Sequence, residues 1–311
     1  MERIIGKHTG DEKGILLIVF GGMHGNEKAG IKALETMFDM LDKEKDVNPG
    51  FRYKGRLVGM RGNLKAIKEG TRYIVKDLNR QFTPENVNRV LNDSAEETLD
   101  AEDEELRAII KAVRAEISDY NPEKVVVLDL HTTSATGGIF AIATEDPASL
   151  DIAVELHAPV ILGLLRGIEG TSSHYFKDEN MPVRTISVVF EAGQHEDPDS
   201  VNRAIAALTN CMRSIGAVQE EDVENRHNEI LINYSKGLPK VAELVTVYKI
   251  MEESHFEMQP DYKNFQRIKE GELLAFDNGH EVFATEDSLI LMPHYQEQGE
   301  DGFFLIKKVD Y

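Results

Sequence analysis

The sequence predicts an α/β protein: a mixed, mostly parallel β-sheet flanked by helices, followed by a smaller C-terminal all-β domain. From residue 15 to residue 216, apolar runs of strand length alternate with amphipathic helical patterns, as in a sheet covered by helices on its faces. Residues 125–130 form a run dominated by apolar side chains, which is typical of a buried parallel strand. Beyond residue 230, short β-rich runs replace this alternation.

The change of pattern divides the chain into two predicted domains, residues 1–222 and residues 230–311. Residues 219–229 are highly charged and predict a linker between the two domains. The second domain contains β-rich runs at residues 244–250, 273–276, 281–284, 289–292 and 303–309. The pair Asn278-Gly279 between two of these runs is a hairpin turn signal.

The first predicted strand, residues 15–20, leads through the glycine-rich turn at residues 21–27 into a helix. The helix is indicated by apolar residues at helical spacing, namely Ile31, Leu34, Phe38 and Leu41. Residues 56–60 predict a second strand, and residues 62–82, which have no clean period, predict a long polar loop. Loops of that length inside a compact domain are usually functional.

The stretch from residue 93 to residue 105 carries eight acids and no bases. It predicts a solvated helix N-terminus, where the helix dipole favours acids; the helix continues with an apolar stripe at Leu106, Ile110, Val113 and Ile117. Further strands are predicted at residues 125–130, 139–143 and 185–190, and helices at residues 148–156 and 199–216. Cys211 lies beside the apolar face of the last helix, so we expect a packed thiol rather than a nucleophile.

Composition and charge argue against several classes of protein. The net charge of −20 disfavours nucleic acid or an anionic membrane as the main partner. No apolar run approaches the roughly 18 residues that a membrane-spanning helix needs, and no secretory signal pattern is evident, so we expect a cytoplasmic protein. The single cysteine excludes an internal disulfide and a cysteine-based zinc site. A homo-oligomer stays compatible with these features.

One segment has a charge opposite to that of the whole chain. Residues 51–80 contain nine basic and two acidic residues. Because screening acts over roughly 8 Å at physiological salt, a local basic cluster can attract an anion despite the global charge. The alternative interpretation is a solvated basic surface.

Three predicted strands end in residues of types that can bind metals, histidine and glutamate. The turn after the first strand holds His24 and Glu27, and two later strands end at His131 and Glu191. Open α/β sheets bind their ligands at the carboxyl ends of the strands, and two histidines with one glutamate form one type of catalytic zinc site. We therefore predict one zinc ion per chain, held by His24, Glu27 and His131. Taken singly, each histidine could be a hydrogen-bonded structural residue.

Glu191 is the predicted general base, because a carboxylate beside an activated water can take its proton and pass it to the leaving group. Asp129 shares a face of its strand with His131. It could orient that imidazole through a hydrogen bond, or it could be a buried structural acid.

Together these segments resemble the succinylglutamate desuccinylase/aspartoacylase family, a branch of the zinc carboxypeptidase-like hydrolases. The resemblance covers most of residues 15–216 in the right order and the C-terminal region more loosely. Four motifs carry it: His24-Gly-Asn-Glu27, Arg72-Tyr-Ile through Asp77-Leu-Asn79-Arg80, Asp129-Leu-His131-Thr-Thr and Glu191-Ala-Gly. It implies a zinc carboxypeptidase-like fold and the same metal ligands and base.

The resemblance also implies substrate contacts from Arg72, Asn79 and Arg80, and more loosely from Tyr295 in a polar loop of the C-terminal domain. A guanidinium offers a planar fork that matches a carboxylate, which suits Arg80. Arg72 could polarise the scissile carbonyl. The alternative for Arg72 is an ion pair with Asp77.

Two departures from the family pattern concern the substrate. Aspartoacylases place a further arginine shortly before the catalytic glutamate, where this chain has Met181, with Arg184 out of register. A second carboxylate on the substrate is therefore in question. His195, which follows the Glu191 motif, is also unusual and could line the mouth of the site.

The predicted function is a zinc-dependent hydrolase that cleaves the amide bond of a small, carboxylate-bearing N-acyl amino acid, such as N-acetylaspartate or N-succinylglutamate. Two alternatives stay open: a zinc carboxypeptidase that acts on peptides, and a non-catalytic zinc-binding protein of the same fold. The presence of Glu191 beside intact metal ligands argues against the second alternative, since an idle site needs no base.

Overall fold

A computed structural model describes residues 1–92, 98–222, 226–251 and 254–310. The strands in these ranges are β1 (Ile4–Thr9), β2 (Glu12–Gly21), β3 (Lys54–Arg61), β4 (Lys124–Thr133), β5 (Phe140–Ala143), β6 (Val160–Leu162), β7 (Arg184–Gln194), β8 (Val241–Lys249), β9 (Phe256–Met258), β10 (Gln266–Ile268), β11 (Leu273–Asp277), β12 (His280–Phe283), β13 (Ser288–Leu291) and β14 (Asp301–Lys308). The α-helices are α1 (Ala29–Val47), α2 (Leu64–Glu69), α3 (Pro84–Leu91), α4 (Ala101–Tyr120), α5 (Pro147–Glu155), α6 (Ser172–Tyr175), α7 (Ser200–Ser214) and α8 (Arg226–Tyr234). Short 3₁₀ helices lie at Leu78–Arg80, Leu164–Gly167 and Glu220–Asp222.

One large mixed sheet runs through the protein in the order β1-β3-β2-β4-β7-β5-β6-β8-β14-β13-β10. Its central strands β3, β2, β4 and β7 are parallel to one another. On either side of this centre, β1 pairs with β3 and β5 pairs with β7 in antiparallel register. The predicted mixed sheet flanked by helices is therefore confirmed, and the carboxyl ends of β2, β4 and β7 lie side by side.

The C-terminal strands are divided between two sheets. β8, β14, β13 and β10 extend the large sheet beyond β6, whereas β9, β11 and β12 form a separate three-stranded sheet. A smaller C-terminal β region is confirmed, and part of it is continuous with the main sheet. The predicted hairpin joins β11 to β12, with positive φ angles of 50° at Asn278 and 78° at Gly279, as a two-residue type I′ turn requires.

The boundary between the two predicted domains stays a prediction. The segment that we expected to be a linker is partly helical, because the 3₁₀ helix Glu220–Asp222 and the start of α8 fall within it. Residues 223–225 lie outside the described ranges. In the part of the chain that the structure describes, no helix is both long enough and apolar enough to cross a membrane.

Helices cover both faces of the central sheet, which explains the apolar composition of β4. Val126 and Leu128 pack in the hydrophobic core that contains α1, α5 and α7, whereas Val125 and Val127 pack in the core that contains α3 and α4. Successive strand residues point to opposite faces, so a strand covered on both sides needs apolar side chains at nearly every position. The buried polar exceptions, Asp129, His131, Thr132 and Thr133, all lie towards the carboxyl end of β4.

Several local features differ from the sequence-based expectations. The elements β1, β6, β9, β10, α3 and α6 were not predicted, because each is short. Residues 62–82 are not one long loop, since they contain α2 and the 3₁₀ helix Leu78–Arg80. α2 has six residues, too few to show a helical period, and it begins where the Asn63 side chain accepts a hydrogen bond from the Ala66 N–H at 3.0 Å.

The expected solvated acidic start of α4 is also corrected, although residues 93–97 of that stretch lie outside the described ranges. The side chains of Glu102, Asp103 and Glu105 are buried rather than solvated. Unpaired buried carboxylates are costly, and each of these acids has partners. Asp103 forms a capping box with Asp100 at the helix start. The expectation for Cys211 is confirmed: this thiol is fully buried, and burial raises its pKa to about 12.

The glycine-rich turn after β2 is shaped by contact with α2. Gly22 has a φ of 73°, in the left-handed region that glycine tolerates. A Cβ atom on Gly25 would lie only 2.0 Å from the carbonyl carbon of Ala66. Glycine at position 25 therefore allows the turn that carries His24 and Glu27 to rest directly on the backbone of α2.

This contact predicts the effect of replacing Gly25 by alanine. The added methyl group must push the turn away from α2, and overpacking of this kind typically costs about 1–3 kcal/mol. Gly25→Ala should therefore lower the free energy of unfolding by that amount in denaturant titrations. Gly50→Ala is the matched control, because a Cβ there would meet only the Asn48 side chain, at 3.3 Å. Equal stability of the two variants would contradict the close approach.

Candidate active site

His24 and Glu27 lie in the turn at the carboxyl end of β2, with only 4% and 2% of their surfaces exposed. The N–H of Glu27 donates to the carbonyl of His24 at 3.1 Å, which closes the turn. The Nδ1 atom of His24 lies 2.8 Å from Oε1 of Glu27. Their spacing of three residues therefore brings imidazole and carboxylate into direct contact.

His131, near the carboxyl end of β4, completes this cluster. Its Nδ1 atom lies 3.0 Å from the second carboxylate oxygen of Glu27, Oε2, and the N–H of Thr132 donates to the same oxygen at 2.9 Å. Ligand atoms of His24, Glu27 and His131 all lie within 4.8 Å of one another. The structure thus brings together the three residues that the sequence predicts as metal ligands.

Each imidazole has a second carboxylate on its other nitrogen. The Nε2 atom of His24 lies 3.1 Å from Oδ1 of Asp77, and Nε2 of His131 lies 3.2 Å from Oδ2 of Asp129. Histidine ligands of metals usually have such a partner, which fixes the ring and its tautomer. Asp129 thus lies beside His131, but within the described ranges the Nε2 atom of His131 makes no hydrogen bond of good geometry. Asp77 was not predicted in this role, because 53 residues separate it from His24.

The charges of the cluster are set by these contacts. Burial alone would raise the pKa of Glu27, but the imidazoles of His24 and His131 hold that pKa well below its ordinary value. Burial alone would lower the pKa of His131, whereas Asp129 and Glu27 raise it well above its ordinary value. Glu27 is therefore an ionised carboxylate at neutral pH, as a metal ligand must be.

The donor set fits a zinc ion. Two imidazole nitrogens and one carboxylate form the protein part of a His₂Glu zinc site. Zinc binds imidazole at about 2.0–2.1 Å, so neighbouring ligands of a tetrahedral site stand about 3.3 Å apart. The distances of 2.8 and 3.0 Å between Glu27 and the two Nδ1 atoms are close to that value. The two distances involve different oxygens of Glu27, and the three ligand atoms as a set lie within 4.8 Å of one another.

Glu191 lies on β7 directly opposite His131 in the parallel register, and its side chain lines the same cavity. Burial raises the pKa of Glu191 to about 8. Within the described ranges, its Oε2 atom is buried without a hydrogen-bond partner. A carboxyl group of this kind can accept and release a proton near neutral pH, which is the property of an effective general base.

Arg72 forms the ion pair that we considered as an alternative, and it also lines the cavity. Its Nε and Nη2 atoms donate to Oδ2 of Asp77 at 3.1 and 2.9 Å. Its Nη1 atom lies 3.6 Å from Oε1 of Glu27. Asp77 thus holds Arg72 with one oxygen and His24 with the other, so the two interpretations of Arg72 are compatible.

Asn79 and Arg80 also line the cavity. Oδ1 of Asn79 accepts a hydrogen bond from the N–H of Ser172 at 2.9 Å. Arg80 donates through Nη1 to the carbonyl of Asn79 at 2.8 Å and through Nη2 to Oδ2 of Asp301 at 2.6 Å. The pairing with Asp301 was not predicted, because 221 residues separate the two side chains.

The structure places Tyr295 away from the cavity. Its hydroxyl donates to the carbonyl of Gln259 at 2.7 Å and accepts from the N–H of Tyr262 at 2.9 Å. These backbone contacts hold the ring against the C-terminal β region, so no contact supports the expected role of Tyr295 in substrate binding. The neighbouring side chains of His294 and Gln296 do line the cavity.

His195 lines the cavity, as the sequence suggested. Its Nδ1 atom lies 2.7 Å from the Thr132 hydroxyl, and its Nε2 atom lies 3.4 Å from Oε1 of Gln296. Burial lowers the pKa of His195, which keeps the ring neutral at pH 7. Arg184 is the first residue of β7 and pairs with Asp146 and Asp178. Because it lies about 23 Å along the strand from Glu191, its side chain cannot reach the cavity.

The loop that carries Arg72 and Asp77 is held by a buried carboxylate that the sequence did not reveal as important. Glu102, in the first turn of α4, is fully buried. At 2.8–3.3 Å, it accepts hydrogen bonds from the side-chain amide of Asn63 and from three consecutive backbone N–H groups, those of Ile74, Val75 and Lys76. Glu102 therefore fixes the segment between the two site residues.

Replacement of Glu102 by alanine should loosen this loop. The side-chain amide of Asn63 is buried and loses its acceptor, which typically costs about 1–3 kcal/mol, so we expect a loss of that size in the free energy of unfolding. In hydrogen-exchange mass spectrometry, the peptide that contains residues 74–76 should exchange faster. Glu104→Ala is the matched control on the same helix turn, because the Glu104 side chain is 49% exposed and its loss should change stability by less than about 0.5 kcal/mol. Identical exchange in both variants would contradict the role of Glu102.

Comparison with known proteins identifies related sequences over most of the N-terminal part. The family model described as succinylglutamate desuccinylase/aspartoacylase catalytic domain matches residues 13–215. The probable aspartoacylase of Nostoc sp. is 33% identical over 143 residues, which cover 44% of this chain and 42% of that protein. The succinylglutamate desuccinylase of Pseudomonas putida is 36% identical over 72 residues, covering 23% of this chain and 20% of that protein. The chain thus aligns with less than half of the length of these curated relatives.

Solved structures extend the similarity to nearly the whole chain. The succinylglutamate desuccinylase from Vibrio cholerae superposes with a TM-score of 0.64 at 18% identity, over 96% of this chain and 83% of that chain. The product-bound ectoine utilization protein from Ruegeria pomeroyi superposes with a TM-score of 0.63 at 18% identity, over 97% of this chain and 88% of that chain. At this identity the likeness concerns the fold, and it includes the C-terminal β region.

Proposed function

Because the chain belongs to the succinylglutamate desuccinylase/aspartoacylase family, we propose that it is a zinc-dependent hydrolase that cleaves the amide bond of a small N-acyl amino acid. The observation that carries this proposal is the buried cluster of His24, Glu27 and His131 in one cavity with Glu191. The names of the curated relatives, aspartoacylase and succinylglutamate desuccinylase, point to the same class of reaction.

In the proposed enzyme, one zinc ion per chain would be held by the imidazoles of His24 and His131 and by the carboxylate of Glu27. When bound, zinc would lower the pKa of a water molecule towards about 7 and polarise the scissile carbonyl. Asp77 and Asp129 would keep both imidazoles oriented through their Nε2 atoms.

Glu191 would move the proton. Its carboxylate takes a proton from the attacking water and delivers it to the amide nitrogen as the carbon–nitrogen bond breaks. The products are a carboxylic acid and an amine, so the proton that Glu191 accepts leaves with the amine. A pKa raised by burial suits both steps, because the group can accept and release the proton within the neutral range.

The arginines would bind the substrate. Arg72 has two of its nitrogens on Asp77 and presents Nη1 on the side of Glu27, where an N–H donor can stabilise negative charge on the carbonyl oxygen. Arg80 and Asn79 would hold a substrate carboxylate through hydrogen bonds assisted by the guanidinium charge. Tyr295 stays a proposal without a supporting contact.

The direct test is an assay of the zinc-loaded protein against a panel of N-acyl amino acids, with release of free amine as the readout and zinc quantified in the same sample. Peptides with free carboxyl termini belong in the panel. Hydrolysis of N-acyl amino acids that a chelator abolishes and zinc restores supports the proposal. Release of C-terminal residues from peptides alone would instead favour the carboxypeptidase.

Replacement of Glu191 by glutamine separates metal binding from chemistry. The amide keeps the shape of the side chain but removes the base, so zinc content should be retained while kcat falls by about 10²- to 10⁴-fold. Glu196→Gln, an exposed position shortly after the same strand, is the matched control and should leave kcat unchanged. A Glu191→Gln variant within a few-fold of wild-type kcat would mean that Glu191 is a structural residue.

A further inference from the structure

Part of the cavity wall is apolar. Six nearly buried side chains contribute to it: Ile142, Leu164, Leu165, Ile168, Val189 and Phe304. All six belong to one hydrophobic core, to which β5, β6, β7, β8, β13 and β14 contribute together with the 3₁₀ helix Leu164–Gly167 and the residue after it. The cavity is one place where a ligand group can reach the apolar surface of this core.

The guanidinium of Arg80 is already engaged by a carboxylate of the protein. Nη2 of Arg80 donates to Oδ2 of Asp301 at 2.6 Å, and the two side chains are only 14% and 11% exposed. The other oxygen of Asp301 pairs with Lys249 at 2.5 Å, so this carboxylate is held from both sides. A substrate carboxylate that sought the same edge of Arg80 would have to displace a group that is tethered in place.

Both arginines at the cavity, Arg72 and Arg80, are already paired with a carboxylate of the protein. Arg80 has five N–H donors, of which the carbonyl of Asn79 and the Asp301 carboxylate engage two. Arg72, the other arginine at the cavity among the residues that the structure describes, is paired with Asp77 and lies 3.6 Å from Glu27. No lysine lines the cavity in the same ranges. A first substrate carboxylate can use the N–H donors that Arg80 has left, whereas a second would have to displace Asp301 or Asp77 from its arginine.

We propose that the preferred substrate is an N-acyl amino acid with a single carboxylate and one apolar group that packs against this wall, and that Asp301 selects against a second carboxylate. The inference rests on the proposed hydrolase function. The apolar group is either the side chain of the amino acid or the acyl chain, since the same hydrophobic surface can receive both. Its burial removes apolar area from water, which favours binding.

The substrate panel that tests this inference varies one property at a time. N-acetylglycine has one carboxylate and no apolar group, whereas N-acetylleucine and N-hexanoylglycine add an apolar side chain or an apolar acyl chain. N-acetylaspartate and N-succinylglutamate carry additional carboxylates. We expect kcat/KM to be at least about tenfold higher for one of the apolar compounds than for N-acetylglycine and for both compounds with additional carboxylates. The apolar compound that is preferred identifies which part of the substrate meets the wall.

Two substitutions test which residues cause this substrate preference. Asp301→Asn keeps the shape and removes the competing charge, so the ratio of kcat/KM on N-acetylaspartate to kcat/KM on the preferred apolar compound should rise about tenfold or more. Glu297→Gln, an exposed carboxylate in the preceding loop, is the matched control and should leave the ratio unchanged. Leu165→Ala should lower the preference for the apolar compound over N-acetylglycine. If Leu165→Ala fails to fold, Ile142→Val, a smaller change in the same wall, takes its place.

The outcomes separate this inference from the proposed function. Equal or higher efficiency on the compounds with additional carboxylates, or an unchanged ratio in Asp301→Asn, overturns the inference and leaves the hydrolase function intact. Hydrolysis of none of the compounds by zinc-loaded protein overturns the function. In that case calorimetric binding of the same compounds still decides the inference, because tighter binding of N-acetylaspartate than of both apolar compounds would contradict it.

Discussion

The carboxylate of Glu27 is the constraint on which the site depends. It is almost fully buried, and its two oxygens face Nδ1 of His24 on one side and Nδ1 of His131 on the other, at 2.8 and 3.0 Å. This arrangement requires that β2 and β4 be adjacent and parallel, because only then do the turn after β2 and the end of β4 meet. The parallel centre of the sheet is thus a condition for the cluster.

A buried group of this kind must be surrounded by compensating charges. Asp77 and Asp129 contact the outer nitrogens of the two imidazoles, and Arg72 balances Asp77. Glu102 in turn anchors the backbone between Arg72 and Asp77 through a set of partly buried hydrogen bonds. The site is therefore one connected polar network that extends from the end of β2 to the first turn of α4. A substitution at its periphery is expected to alter the positions of the side chains in the cluster.

The sequence predicts those features that rest on local pattern. The alternation of strands and helices gives the central sheet, and short motifs at strand ends reveal His24, Glu27, His131 and Glu191. Other contacts of the site join residues that are distant in the chain, such as Asp77 with His24 and Asp301 with Arg80, across 53 and 221 residues. Local sequence patterns do not reveal contacts between residues so far apart in the chain.

The acids at the start of α4 illustrate the same limit. Their composition indicates a solvated helix N-terminus, yet Glu102 is buried because a loop folds over it and supplies backbone donors. The position of Tyr295 depends likewise on backbone hydrogen bonds within the C-terminal region, and residue type alone does not reveal such bonds. Charge and residue type suggest what a side chain could do, but its contacts in the folded protein determine what it does.

Anomalous X-ray diffraction at the zinc absorption edge, from crystals of the zinc-loaded protein, would locate the bound ion. We expect one strong anomalous peak per chain, between the imidazoles of His24 and His131 and the carboxylate of Glu27. A zinc peak at another place in the protein, or the absence of a peak between these three side chains in zinc-replete crystals, would contradict the proposed metal site.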